Sequence, residues 1–359
     1  TTPSGSPVLP VIDPDALEKF THSVIGDLGA AVSGVLIHIG DRLGLYRALG
    51  DSAPVTSVAL SARTGLAERY VREWLHNQAA AGWVSYDSNA QTFTLPPEHA
   101  LLVSDPNAPT FLLGGFDIAA SIWGDEHLLT DAFRSGAGIG WHEHDERLFE
   151  GTERFFRPGY QANLVSTWLP ALNGVVERLE AGIDVADVGC GFGASTIVMA
   201  RAFPQSTFVG YDYHDASIVA ARRRAAEAGL SNVTFEVDTA KAVPGQFDLV
   251  CLFDCLHDMG DPEGAACRLR SALRPGGSLL LVEPAGADRP EDNHNPLGRL
   301  FYGCSTALCV PSSLAQEGGL GLGNQAGQPR MNEILTQAGF SSIRVVDRSP
   351  INVVMEVRP

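Results

Sequence analysis

Paired cysteines of the CxxC kind are missing from this chain, which holds six cysteines in 359 residues. Cys190 stands in a glycine-rich turn, Cys251 and Cys255 lie on an apolar run, and Cys267, Cys304 and Cys309 are scattered. That spacing supplies neither a structural zinc site nor a disulfide framework, and it suits a reducing compartment. Basic residues are also scarce: 25 Lys and Arg face 42 Asp and Glu, for a formal net charge of -17. Such a balance repels nucleic-acid phosphates unless a local patch overrides it, so no nucleic-acid partner is expected. Thr1 to Pro10 lack the basic region and apolar core of a signal peptide, and no later run reads as long enough to span a bilayer. A cytoplasmic protein with no membrane partner is the expectation. What the chain does have is apolar content, 45%, enough for one large domain or two ordinary ones.

The rhythm changes twice along the sequence. Residues 1 to 12 read as a loose tail, and the spaced apolar residues from Asp13 to Leu49 predict helices. The helical segment is so apolar that it calls for burial, within the chain or against a partner subunit. Val58 to Arg63 and Ala67 to Ala80 predict two short helices around a turn at Gly65. Trp83 to Tyr86 and Gln91 to Leu95 then predict a hairpin, which completes a winged-helix pattern. The second helix carries Glu68, Arg69, Arg72, Glu73 and His76, a mixed face rather than a basic one. A scaffold or dimerisation use is therefore favoured over DNA reading. Residues 106 to 180 form a helical connector whose aromatics could wall a pocket. Its His142-Glu143-His144-Asp145 run reads as a polar loop, and no metal is expected.

After Gly182, apolar strands alternate with helical stretches, the signature of a parallel sheet with covering helices. Strands are predicted at 183–188, 207–211, 233–237, 247–253 and 277–282, with a closing pair at 342–346 and 352–357. The turn Asp187-Val188-Gly189-Cys190-Gly191-Phe192-Gly193 follows the first strand and opens a helix. Glycines there let the backbone bend and approach a ligand, and the helix start offers free N–H groups. Asp212 ends the second strand, at the separation from Gly189 where a carboxylate can take both ribose hydroxyls of an adenosine. Asp238 and Thr239, beyond the third strand, are candidates to contact adenine, and Phe253, at the end of the fourth, joins the cofactor set. Gly189, Gly191 and Ala194 also satisfy the dinucleotide pattern G-x-G-x-x-G/A, so the turn alone leaves a nicotinamide site open.

The segment 183 to 284 resembles the core of the class I S-adenosylmethionine-dependent methyltransferases. The match lies in the 187–193 turn, acidic Asp212, the 247–253 strand and Leu273-Arg274-Pro275-Gly276-Gly277 before the fifth strand. The resemblance implies that the turn holds the methionine part of S-adenosyl-L-methionine and that Asp212 holds its ribose. With its winged-helix-like N-terminal part, the whole chain resembles the O-methyltransferases of secondary metabolism, which implies a homodimer formed through that part. In that family a His-Asp pair follows the fourth strand and the His is the general base. Leu256-His257-Asp258-Met259 matches it, although the family often has Trp where this chain has Met259. That departure leaves the base role with His257 and argues against a phenolic substrate of the plant type. An imidazole with a near-neutral reference pKa suits removal of a hydroxyl proton.

Asp254 and Glu283 end strands at the ligand edge, where either could orient the imidazole or the acceptor. His294, Asn295 and Tyr302, in the long insertion after the fifth strand, are expected acceptor contacts. The expected fold class is α/β. It comprises a Rossmann-like seven-stranded methyltransferase sheet with a terminal antiparallel hairpin at 181–359, preceded by a mainly helical winged-helix-like domain at 1–105. The expected function is methyl transfer to a small organic acceptor, at a hydroxyl. The alternative is an inactive cofactor-binding regulator with a DNA-binding winged helix.

Overall fold

The computed structural model describes residues 12–359, so the tail expected at 1–12 lies almost wholly outside the described residues. The chain divides into two compact units, Thr1–Asp105 and Pro106–Pro359, and the helices between 106 and 180 fall in the second.

In the first unit, α1 (Pro14–Arg42) begins where Asp13 accepts the Asp15 and Ala16 N–H groups. A short α2 (Leu45–Ala48) follows, then α3 (Ser57–Thr64), capped by Thr56 and ended by left-handed Gly65. Helix α4 (Glu68–Ala80) buries Val71, Trp74, Leu75 and Gln78, one stripe at helical spacing. Trp74 donates its indole N–H to the Leu36 carbonyl, and Tyr46 donates to Gln78, so polar tips are satisfied inside the core. Strands β1 (Ser85–Asp87) and β2 (Thr92–Thr94) make the expected hairpin, with Asp87 accepting from Asn89 and Ala90 in its turn. Helix α5 (Pro97–Val103) closes the unit. On α4, Arg69 pairs with Glu73 and Arg72 with Glu68, so the helix neutralises its own cations.

The expectation that no segment could span a bilayer is corrected by α1. Its 29 residues are long and apolar enough by length and composition, because small and apolar residues separate its few charges. Its apolar residues form a one-sided stripe rather than a continuous run. Leu17, Phe20, Val24, Leu28, Val32, Val35 and Ile39 are all exposed, and only Ser33, Ile37 and Gly40 are buried.

The second unit starts with α6 (Gly114–Gly124), α7 (Glu126–Ser135), α8 (Arg147–Asn163) and α9 (Val175–Ala181). Then come β3 (Asp184–Val188), α10 (Ala194–Ala202), β4 (Thr207–Asp212), α11 (Asp215–Glu227), β5 (Val233–Val237), β6 (Phe247–Phe253) and α12 (Pro262–Ser271). They are followed by β7 (Leu273–Pro284), α13 (Pro296–Cys304), α14 (Val310–Leu314), α15 (Gly327–Gln337), β8 (Ser342–Arg348) and β9 (Asn352–Arg358). The seven-stranded sheet runs β5-β4-β3-β6-β7-β9-β8, parallel except for β9, which pairs antiparallel with both neighbours. Strand β7 begins four residues earlier than its sequence suggests. Leu273 already pairs with Phe247 across an irregular register, and the Pro275-Gly276-Gly277 stretch rides inside the strand.

Alternate strand residues serve two cores. Val188, Val250, Leu252, Leu279, Leu281 and Met355 pack with Ala265, Leu269, Met331 and Leu335 of α12 and α15. Val185, Leu249, Cys251, Leu280 and Val282 pack with Leu164, Leu169, Val175, Leu179 and Met199 on the other face. Burial on both faces explains why β6 reads as an unbroken apolar run apart from Asp248. The strand order reverses between β3 and β6, and their C-terminal ends open a crevice there.

Candidate active site

The glycine turn leaves β3 with Gly189, Gly191 and Gly193 all at positive φ (73°, 52° and 77°), where a side chain would be strained. A Cβ on Gly193 would also meet the Phe235 ring at 2.8 Å. The Gly189 and Cys190 N–H groups donate to the Tyr211 carbonyl, which stitches the turn to β4. Asp212 then reaches back: one carboxylate oxygen accepts the Gly191 N–H and the other the His214 N–H, both at 2.9 Å. Each oxygen keeps a lone pair for a further donor. Burial raises the Asp212 pKa, against the lowering effect of those two N–H groups. Asp187 sits behind the turn, fully buried, accepting from Ser195 and Thr196 at 2.6 Å. Burial lifts its carboxyl to about 6 despite both hydroxyls.

A cavity of about 430 Å³ opens over this turn. The stretch Val188–Phe192, Asp212, Asp238–Lys241 and Phe253–Cys255 line its sheet side. Trp141, Phe149, Phe156 and Tyr160 wall it from the connector, and Ser312, Gln316 and Glu317 from the insertion. Asp258, Met259 and Asp261 complete the rim below. Among the described residues lining it, Lys241 is the sole basic one, and it is paired with Asp261 and Glu317.

Two acids at the strand ends are under load. Asp254 ends β6 at φ 50°, a left-handed position unusual for a residue other than glycine. Its N–H donates to the Val282 carbonyl, and Asn352 donates to its Oδ1 at 2.6 Å, while buried Oδ2 has no hydrogen-bond partner. Burial, then the charge of Glu283, holds its carboxyl well above the ordinary range. Glu283 ends β7 and is also buried; its Oε1 accepts the Leu256 N–H, and its Oε2 lies 2.5 Å from His257 Nδ1. Leu256–Asp258 form one 3-10 turn, which places the other ring nitrogen, Nε2, 3.1 Å from Asp258 Oδ1. Burial alone would lower the His257 pKa. The charges of Asp258 and Glu283 outweigh it and hold the imidazole well above its ordinary value.

Residues 179–310 match the methyltransferase domain family, and residues 30–104 match the Rv2258c-like winged HTH domain. Residues 179–310 thus form a methyltransferase domain. It is 36% identical over 104 residues to the trans-aconitate 2-methyltransferase of Deinococcus radiodurans, covering 29% of this chain and 39% of that one. It is 30% identical over 154 residues to a ubiquinone biosynthesis O-methyltransferase of Pseudomonas paraeruginosa, covering 42% and 60%. The chain thus spans about two fifths to three fifths of the length of these relatives. Among solved structures, an O-methyltransferase family protein from Burkholderia thailandensis superposes with a TM-score of 0.67 at 18% identity, covering 97% of this chain and 99% of that one. The mitomycin 7-O-methyltransferase MmcR gives 0.65 at 19%, covering 97% and 100%.

Within the methyltransferase domain, the structure brings Gly189, Gly191, Asp212, Asp238, Thr239, Phe253 and Asp254 to one cavity. Asp187 and Gly193 support the turn from behind. His257 and Glu283 stand one layer back, with Asp258 at the cavity wall. The three insertion residues expected to contact an acceptor are not at this cavity. His294 and Asn295 are exposed, and the Asn295 side chain is spent accepting the Gly298 N–H that starts α13. Tyr302 lies on α13, outside the lining. The insertion instead contributes Ser312, within α14, and Gln316, just beyond it, where nothing in composition marks them. Asp258 was legible through its neighbour His257, and Tyr160 as one of the connector aromatics expected to wall a pocket; Glu153 carried no local signal.

Proposed function

We propose that the chain transfers the methyl group of S-adenosylmethionine to the hydroxyl of a small, largely apolar acceptor. The observation that carries this reading is one continuous cavity with Asp212 and the glycine turn on one wall and Asp258, backed by His257, on another. The residues present fit the cofactor. Asp212 keeps a lone pair on each oxygen for a ribose diol, the left-handed glycines leave the turn bare, and Asp238 and Thr239 edge the adenine side. S-adenosylmethionine supplies an already activated methyl, with a neutral thioether as leaving group.

The protein's share is alignment and removal of one proton. Glu283 anchors Nδ1 of His257, so Nε2 is the nitrogen left to take the acceptor proton, with Asp258 mediating at the cavity wall. A base must be neutral to act, and the raised His257 pKa shifts the acid limb of the rate profile to higher pH than an ordinary histidine gives. Glu283→Gln removes one of the charges that raise it. Its acid limb is therefore expected at lower pH than the parent's, with a reduced plateau because Nδ1 loses its anchor. A limb that stays in place while the rate falls would give Glu283 a packing role alone.

The aromatic wall and the acidic rim favour a neutral hydroxylated ring system over a polycarboxylate. Incubation with methyl-labelled cofactor is expected to label such hydroxyl compounds and to leave trans-aconitate unlabelled. The reverse result would overturn this acceptor assignment.

The exposed stripe on α1, from Leu17 to Ile39, supports a homodimer formed through the N-terminal unit. Leu28 and Val32 are 62% and 66% exposed in the single chain. Leu28→Asp with Val32→Asp is expected to give a monomer by light scattering, because a dimer would bury both charges. A mass unchanged from a parent dimer would place the interface elsewhere.

A further inference from the structure

We propose that His257, Asp258 and Cys309 form a site for a zinc-class divalent cation, which would silence the base by taking its Nε2. The inhibitory consequence rests on the base reading above; the site itself does not. One donor atom from each residue lies within 4.8 Å of the other two, and His257 Nε2 is 3.1 Å from Asp258 Oδ1. Donors around a tetrahedral zinc stand roughly 3.3–3.8 Å apart, given metal–ligand bonds of about 2.0–2.3 Å. One pair already stands 3.1 Å apart and the others lie within 4.8 Å, so an ion would have to draw the thiol in by about an ångström at most.

The donors come from two elements. His257 and Asp258 share the 3-10 turn after β6, and Cys309 ends a π-helical turn, Ser305–Cys309, between α13 and α14. A π-turn interrupts ordinary helix hydrogen bonding and recurs at functional positions. Here it sets the thiol within 4.8 Å of the donor atoms of both His257 and Asp258.

The surroundings resemble the outer layer of a metal centre. Metal-binding histidines almost always place their second nitrogen on a carboxylate or carbonyl, which fixes the tautomer. Glu283 does this for His257, and its other oxygen is itself held by the Leu256 N–H. A second histidine is prepared in the same way. His144 Nδ1 lies 2.9 Å from Asp125 Oδ2, its side chain is fully buried, and its Nε2 has no hydrogen-bond partner. Asp258 Oδ1 is buried beside His257 Nε2, and Asp258 lines the large cavity, which gives an ion access from solvent.

The test uses the full chain, stripped of metal by chelator dialysis, and titrated with Zn²⁺ or Co²⁺ alone. One equivalent of Zn²⁺ is expected by calorimetry, and Co²⁺ is expected to give tetrahedral d–d absorption with a thiolate charge-transfer band. Cys309→Ser should abolish that band, and Asp258→Asn should weaken Zn²⁺ binding at least tenfold, each with its melting temperature compared to the parent's. Glu283→Gln should cost roughly ten- to a hundredfold in metal affinity. In an active preparation, Zn²⁺ should stop methyl transfer while leaving S-adenosylmethionine binding in place. Absence of stoichiometric binding, or binding unchanged in both Cys309→Ser and Asp258→Asn, would overturn the site. Binding as expected in a preparation that transfers no methyl would leave the site standing and count against the base reading alone.

Discussion

Substituting alanine for His257 is expected to lower methyl transfer by roughly two to four orders of magnitude, the usual contribution of a positioned general base. Affinity for S-adenosylmethionine is expected to stay at the parent value, because His257 stands behind Asp258 and does not line the cavity. The substitution has a structural cost that must be separated from the chemical one. His257 is buried against Glu283, and removing it strands a buried carboxylate, which typically costs about 3–5 kcal/mol. His257→Asn offers Glu283 an amide N–H in place of the ring and cannot accept the acceptor proton at neutral pH. Equal losses of turnover in both variants, with the asparagine form melting nearer the parent, identify the loss as chemical. Turnover at the parent rate in His257→Asn would leave alignment as the protein's whole contribution.

Asp212→Ala is expected to weaken S-adenosylmethionine binding by roughly a hundredfold or more. A hydrogen bond to a charged group contributes about 1.5–3 kcal/mol, and the reading gives Asp212 two ribose hydroxyls. The carboxylate also accepts the Gly191 and His214 N–H groups, so alanine releases the turn as well as the sugar. Asp212→Asn separates these effects. Its amide oxygen can still accept one backbone N–H, but the amide nitrogen accepts nothing, so most of the loss should remain. Calorimetry gives the affinities. At one fixed cofactor concentration the parent should also gain more thermal stability than the variants, since stabilisation grows with the ratio of ligand concentration to Kd. Equal affinity in parent and Asp212→Ala would remove Asp212 from the cofactor site.

The sheet was legible because its chemistry is local. The central strands β3 and β6 are short apolar runs followed by a glycine or an acid, and burial on both faces leaves that composition little freedom. The cofactor wall was legible for the same reason: the Gly189–Gly193 turn and Asp212 are strand-end features at a characteristic separation. The acceptor side was legible only in part. The connector aromatics, Trp141, Phe149 and Tyr160 among them, were expected to wall a pocket, but Ser312 and Gln316 of the insertion reach it through long-range packing that has no period in the sequence. His294 and Asn295 attracted notice as polar residues in a likely-looking loop, yet Asn295 serves a helix start, a role equally typical of its residue type. The layering of Glu283, His257 and Asp258 lay beyond the sequence too. It depends on Glu283 crossing from β7 to the turn after β6, a contact between residues 26 positions apart.

A crystal structure of the chain with S-adenosylhomocysteine tests the account most directly. It is predicted to place the ribose on Asp212, the amino-acid portion over Gly189 and Gly191, and the sulfur facing the hollow bounded by Asp258 and Tyr160. Nucleoside density bound elsewhere, or this cavity filled by side chains at saturating ligand, would contradict it.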